Sequence, residues 1–136
     1  MKTRRDFMKS SLAVSAVALT ATTIPLLAAQ NSKVNIFAYS KANPGRWEGK
    51  DKSHAPIVTI KGDDVTVETK HGMSSAHYIV KHTLLSETGE VIGENVFFPQ
   101  TDKKAISHFK LTGKHKEIYA LSFCNLHDQW VTKTTL

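Results

Sequence analysis

The sequence predicts an all-β fold, an immunoglobulin-like antiparallel β-sandwich of about seven strands. Three observations predict it. Short segments rich in β-branched and aromatic residues recur from residue 31 to the end of the chain. Clusters of Gly, Asp, Ser and Thr separate them at the spacing sandwich loops take. No window of helical length in that region carries a 3.6-residue apolar repeat.

The expected strands, in order, are residues 34–39, 56–60, 65–68, 77–85, 91–98, 105–111, 117–124 and 130–135. Gly62-Asp63-Asp64 marks the turn before the third segment, and residues 86–90 read as a hairpin loop. Residues 40–53 read as a long irregular loop. In the segment 117–124, Tyr119, Leu121 and Phe123 share one face, and Ala120, Ser122 and Cys124 the other. The larger apolar set is expected to enter the core, leaving Cys124 at the strand end and facing away from it.

Residues 1–29 read as an address rather than as structure. Thr3-Arg4-Arg5-Asp6-Phe7-Met8-Lys9 fits the twin-arginine export pattern, and an apolar stretch follows it. The rival reading is an uncleaved membrane anchor, but Thr20, Thr22, Thr23 and Pro25 weaken a spanning helix. Cleavage near Ala28 or Ala29 is expected, giving a periplasmic domain over residues 30–136. The cut removes four basic groups and one acidic group, which lowers the net charge from +6 to +3. No dense Lys/Arg stripe with interleaved aromatics survives it, so nucleic-acid binding is excluded, whereas a small anionic substrate suits the charge.

Cys124 is the one cysteine, so the chain forms no internal disulfide and carries no Cys-x-x-Cys pair. Three clusters near predicted strand ends hold the remaining candidate chemistry. They are Lys52-Ser53-His54-Ala55-Pro56, then His71-Gly72-Met73-Ser74-Ser75-Ala76-His77-Tyr78-Ile79, then Cys124-Asn125-Leu126-His127-Asp128-Gln129-Trp130. Each is weak alone. Together they supply four imidazoles and one thiol, the soft-to-borderline donors that transition metals prefer. A cupredoxin-like copper carrier is the first alternative, but it needs two histidines, one cysteine and an axial methionine, and no Met follows Cys124. A non-catalytic iron-binding sandwich module is the second.

These clusters resemble the motifs of the superoxide reductase family, the neelaredoxin and desulfoferrodoxin iron domain. That family carries Glu-Lys-His-Val-Pro, His-Pro-Met-x-x-x-His-Tyr-Ile and Cys-Asn-x-His-Gly-x-Trp, and Trp47-Glu48-Gly49 also resembles the Trp-x-Gly that precedes the first loop. The likeness runs from Trp47 to Trp130. It implies one iron per chain (Fe2+/Fe3+), held by His54, His71, His77 and His127 with Cys124 as the axial thiolate. It further implies reduction of superoxide to hydrogen peroxide. The electrons would come from an external donor, with a periplasmic cytochrome as the candidate, and homo-oligomers would be expected. Backbone N–H groups after Cys124 are expected to tune the sulfur. His82, His108 and His115 match no ligand position and are expected to be structural or at the surface.

Two departures from the family pattern bear on activity. Lys52 stands where the family has its glutamate and Ser53 where it has its lysine. Lys52 is therefore the candidate cation for steering superoxide and relaying a proton, with a solvated loop residue as the alternative; Lys50 and Lys70 are further candidates for a positive rim. Gly72 replaces the family proline and Asp128 the family glycine, with altered backbone geometry expected after His127.

Overall fold

The computed structural model describes residues 36–136, so the export pattern, residues 34 and 35 of the first expected strand and the proposed cleavage point lie outside the described residues. Seven strands follow: β1 Ile57–Lys61, β2 Asp64–Thr69, β3 Ile79–Ser86, β4 Val91–Val96, β5 Ala105–Lys110, β6 Glu117–Cys124 and β7 Asp128–Thr135. They form one sheet in the order β1-β2-β5 and another in the order β4-β3-β6-β7, with antiparallel pairing throughout. The expected immunoglobulin-like sandwich is the fold found.

Two expected elements differ. Of residues 34–39, the described part contributes a single parallel bridge from Tyr39 to Trp130. The expected loop 40–53 contains a 3-10 turn at Gly45–Trp47 and one helical turn, α1, at Asp51–His54. A single turn is too short to show any apolar repeat, which is why periodicity missed it.

Alternation decides what fills the sandwich. Val65 and Val67 of β2, Leu84 of β3, and Ile118 and Ala120 of β6 bury into one apolar cluster. Burying each larger side chain of this set stabilises the fold by about 1.5–3 kcal/mol. A second cluster, nearer the strand ends that carry the candidate ligands, contains Ile79, Phe97, Ala105 and Cys124, with Met73 packed against it. Between the clusters lies a belt of buried polar groups, His82, Thr69, Ser107 and Ser122.

A bulge makes this layering work. The β3–β6 register shifts between Ile79 and Lys81, so both Ile79 and His82 turn inward although three positions apart.

The orientation of β6 is the reverse of the expected one. Ile118, Ala120, Ser122 and Cys124 face the interior and Phe123 is exposed, while Leu121, one of the three residues expected in the core, is buried as well. Volume explains the choice: His82 from the adjacent β3 and Thr69 from β2 of the facing sheet already occupy the gap, and only the small side chains of Ala120 and Ser122 leave room for them.

Candidate metal centre

Five side chains meet at one end of the sandwich, and each is placed by a local device. His54 ends α1, where the Ala55 N–H bonds the Asp51 carbonyl and Pro56 stops the helix. His71 lies two residues past the end of β2, its own N–H bonded to the Thr69 carbonyl. His77 closes a turn in which Ser74 and His77 exchange backbone hydrogen bonds, and the Ser74 hydroxyl adds a further pair. Cys124 ends β6, His127 is the last of the three residues that join it to β7, and β7 opens with Asp128 in the left-handed region at φ 62°.

The donor atoms face one another closely. His127 Nδ1 lies 3.0 Å from His54 Nε2 and 3.0 Å from His77 Nε2, and His77 Nε2 lies 3.0 Å from His71 Nε2. Three neighbouring ring pairs stand nearly on edge, at 78° for His54/His71, 84° for His71/His77 and 87° for His54/His127, and His77/His127 is inclined at 64°; the His54 and His77 rings lie across from each other at 6.0 Å. Cys124 Sγ is 3.7 Å from His127 Nδ1 and 3.9 Å from His71 Nε2, and all five donor atoms fall within 4.8 Å of one another. Four donors at the corners of a square whose edge is the 3.0 Å of these three contacts would lie about 2.1 Å from its centre, close to the ~2.0–2.1 Å that an imidazole nitrogen keeps from zinc. A cation placed among these nitrogens would be held by their inward lone pairs. The residues fit a metal ion.

Hydrogen bonds behind the rings set the inward atoms free. The Lys50 carbonyl can only accept, so His54 carries its proton on Nδ1, 3.1 Å away, with the Ser53 hydroxyl alongside. His71 likewise donates Nδ1–H to the Gly72 carbonyl. Both Nε2 atoms are then bare ligand atoms. Burial pushes the His54 imidazole down to about 4 and lowers His71, while burial followed by the fields of His77 and Lys50 lowers His127. These three rings are neutral at pH 7, as ligation requires.

A cleft of about 430 Å³ opens on this cluster, lined by Lys50, His54, Lys70, His71, Met73 and His77 among others. It reaches three imidazoles but neither Cys124, which is buried, nor His127. No carboxylate lines it. A small anion entering here meets two lysines and the imidazole side of the cluster, with the sulfur behind.

Residues 46–133 match the family model described as desulfoferrodoxin. The chain belongs to the desulfoferrodoxin family. The superoxide reductase of Pyrococcus abyssi is 31% identical, and that of Thermococcus kodakarensis 30%; each match covers 68% of this chain and 92% of the relative. Among solved structures, the superoxide reductase (neelaredoxin) of Ignicoccus hospitalis has a TM-score of 0.61 at 24% identity, covering 75% of this chain and 98% of its own, a likeness of fold.

Set against the desulfoferrodoxin motifs, His54, His71, His77, Cys124 and His127 all reach the cluster. Lys52, at the family glutamate position, is exposed and does not line the cleft; Lys50 and Lys70 do. The N–H of Asn125 does not turn to the sulfur as expected but bonds the Tyr78 carbonyl. His108 and His115 bond Thr66 and Glu87 away from the cluster, and His82 is buried in the polar belt.

Three further residues brace the cluster; Asn125 and Arg46 went unassigned in the sequence, whereas Trp130 was expected to cover the site or pack nearby. Asn125 accepts from the Tyr78 N–H and donates to the Ala76 carbonyl, both at 3.0 Å, and so ties the cysteine loop to the segment on either side of His77. Trp130, fully buried, donates to the His127 carbonyl and packs its ring 5.8 Å from that of His54. Arg46 reaches Asp128 across the loop. Asn125 stood inside a recognised motif, which was a usable signal; Arg46 had none.

Proposed function

We propose that this chain is a one-iron superoxide reductase whose ligands are His54, His71, His77, His127 and Cys124. The observation that carries this reading is the convergence of four imidazole nitrogens and one thiol sulfur within 4.8 Å. Five N/S donors exceed the four of a structural zinc site, and four histidines exceed the two of a blue-copper site. When bound, the iron supplies the electron, and its thiolate ligand favours donation to the substrate. Superoxide takes up one electron and two protons and leaves as hydrogen peroxide.

The protein's own groups bind and guide the anion. Lys50 and Lys70 make the cleft positive, and the neutral imidazoles add no charge that opposes the metal. Lys50 takes the steering role in preference to Lys52 because it lines the cleft and its charge is felt by the rings of His71 and His127. Met73 and the apolar cluster around Cys124 keep water from the sulfur side.

The reading extends to the cell. The Arg4-Arg5 pattern supports twin-arginine export and action in the periplasm, with residues 1–29 removed and 30–136 active. The electron donor is then an exported redox protein, for which a periplasmic cytochrome is the candidate, and the chain assembles as a homo-oligomer.

Iron quantification on the purified protein, the visible spectrum of its oxidised form and a superoxide consumption assay test the proposal together. One iron per chain, a thiolate-to-ferric charge-transfer band and consumption without dioxygen release are expected. Stoichiometric zinc or copper, or iron without the band, overturns it.

A further inference from the structure

We propose that Asp128, with Arg46 and Trp47, forms a clamp that fixes the orientation of the His127 imidazole, making Asp128 a positioning residue of the metal centre. The proposal rests on the ligand set given under Proposed function.

His127 differs from two of its fellow ligands. His54 and His71 are each held by an Nδ1–H bond to a backbone carbonyl. His127 turns Nδ1 inward instead, and among the described residues its Nε2 has no hydrogen-bond partner. A ring with no such bond needs another restraint, because orientation of the ligand is what the layer behind it supplies.

Trp47 provides that restraint. Its ring meets the His127 ring edge to face, with centroids 4.6 Å apart and planes at 88°. Trp47 is in turn held twice. Its Nε1–H donates to Asp128 Oδ2 at 2.9 Å, and the Arg46 guanidinium lies 4.8 Å from the centre of its ring. Arg46 closes the loop by donating to the same Asp128 oxygen at 2.7 Å. One carboxylate, adjacent in sequence to the ligand, therefore governs the aromatic wall beside it.

The cost of placing an aspartate here argues that the carboxylate has a use. Asp128 is the one non-glycine residue with positive φ among those described, at the hairpin position where glycine sits without strain. The ion pair it makes is exposed on both sides and contributes little to folding. What the carboxylate does that glycine cannot is hold Trp47 against His127.

The test compares Asp128→Gly and Asp128→Asn with the parent in the full, iron-loaded chain. Glycine suits the backbone and removes the clamp; asparagine keeps an acceptor for the Trp47 N–H. Chelator-driven iron release, followed at the charge-transfer band, is expected to be about tenfold or more faster in Asp128→Gly, with the band displaced. Asp128→Asn is expected to stay closer to the parent than to Asp128→Gly. The Trp47 indole N–H resonance of the metal-free chain should lose its hydrogen-bonded shift in Asp128→Gly alone. Unchanged release and band in Asp128→Gly overturn the clamp. A parent that binds no iron overturns the ligand set instead, and the indole resonance still reads the clamp.

Discussion

Acidification from pH 7 to pH 4 should cost the metal-free fold about 3 kcal/mol through the single imidazole of His82. That ring is fully buried, with Nε2 2.9 Å from Thr69 Oγ1 and Nδ1 2.9 Å from Ser107 Oγ. The Thr69 hydroxyl gives its proton to Ser122 Oγ, so it must accept from His82 Nε2–H, and Nδ1 then accepts from Ser107. The neutral ring is fully paired. The groups packed on it are hydroxyls and the Phe97 ring, 4.9 Å away, so nothing there balances a positive charge. Burial accordingly lowers its pKa from 6.5 to about 4. At about 1.36 kcal/mol per pH unit this amounts to roughly 3.4 kcal/mol. The unfolded chain takes up a proton below pH 6.5 that the folded chain refuses until about pH 4. The contribution is therefore complete above pH 6.5, is lost as the pH falls through that window, and levels off below it. His82→Gln keeps a donor for Thr69 and cannot titrate. Urea unfolding of both metal-free proteins from pH 7 to pH 4 should show the parent losing about 3 kcal/mol more than the variant, the site imidazoles cancelling because both chains carry them. Parallel curves, or a measured His82 pKa near 6.5, would refute the argument.

Cys124→Ser should abolish the thiolate-to-ferric band and weaken iron binding by more than the ~10–100-fold that losing a partner behind a ligand costs; the visible spectrum and a chelator competition read both. Lys50→Ala should lower the second-order rate with superoxide several-fold at low salt, with the difference fading as salt screens the charge. Pulse radiolysis across ionic strength checks this, and an equal loss in Lys52→Ala would return the steering role to that position. Gly93→Ala places a Cβ 2.5 Å from Phe109 Cδ1, so it should destabilise the fold by about 1–3 kcal/mol. A thermal midpoint within a degree of the parent would show that the Phe109 ring moves aside freely.

Much of the fold was legible because strand signals are local. β-Branched runs marked β1 and β2, and Gly62 and residues 86–90 marked two hairpin turns that the structure forms. What alternation does not carry is which of two faces is the core. For β6 the side-chain sizes favoured Tyr119, Leu121 and Phe123, yet Ala120, Ser122 and Cys124 turned inward. That outcome depends on His82 arriving from β3 and Thr69 from β2 into the same space, a long-range packing constraint. α1 was hidden for the opposite reason: one turn is held by a few backbone bonds and leaves no repeat in the sequence.

The five candidate donors were legible because they sit in three clusters that resemble the family's motifs; residue type alone does not separate His54, His71, His77 and His127 from His82, His108 and His115. Most of the groups that orient them were not, because serine and aspartate are common and act through backbone geometry; Asn125, inside a motif, is the exception. Asp128 shows the difference. From sequence it read as a departure that disturbs the loop after His127. In the fold the backbone keeps φ at 62°, as a glycine would, and the added carboxylate reaches Trp47 and Arg46 instead. The inward turn of β6 has a similar consequence. It buries the Cys124 sulfur among Ile79, Phe97 and Ala105, leaving the cleft between Lys50 and Lys70 as the approach to the cluster. A thiolate on the outer face would have met solvent and oxidant directly. Packing in the interior thus shields the Cys124 sulfur while the lysine side stays open to a small anion.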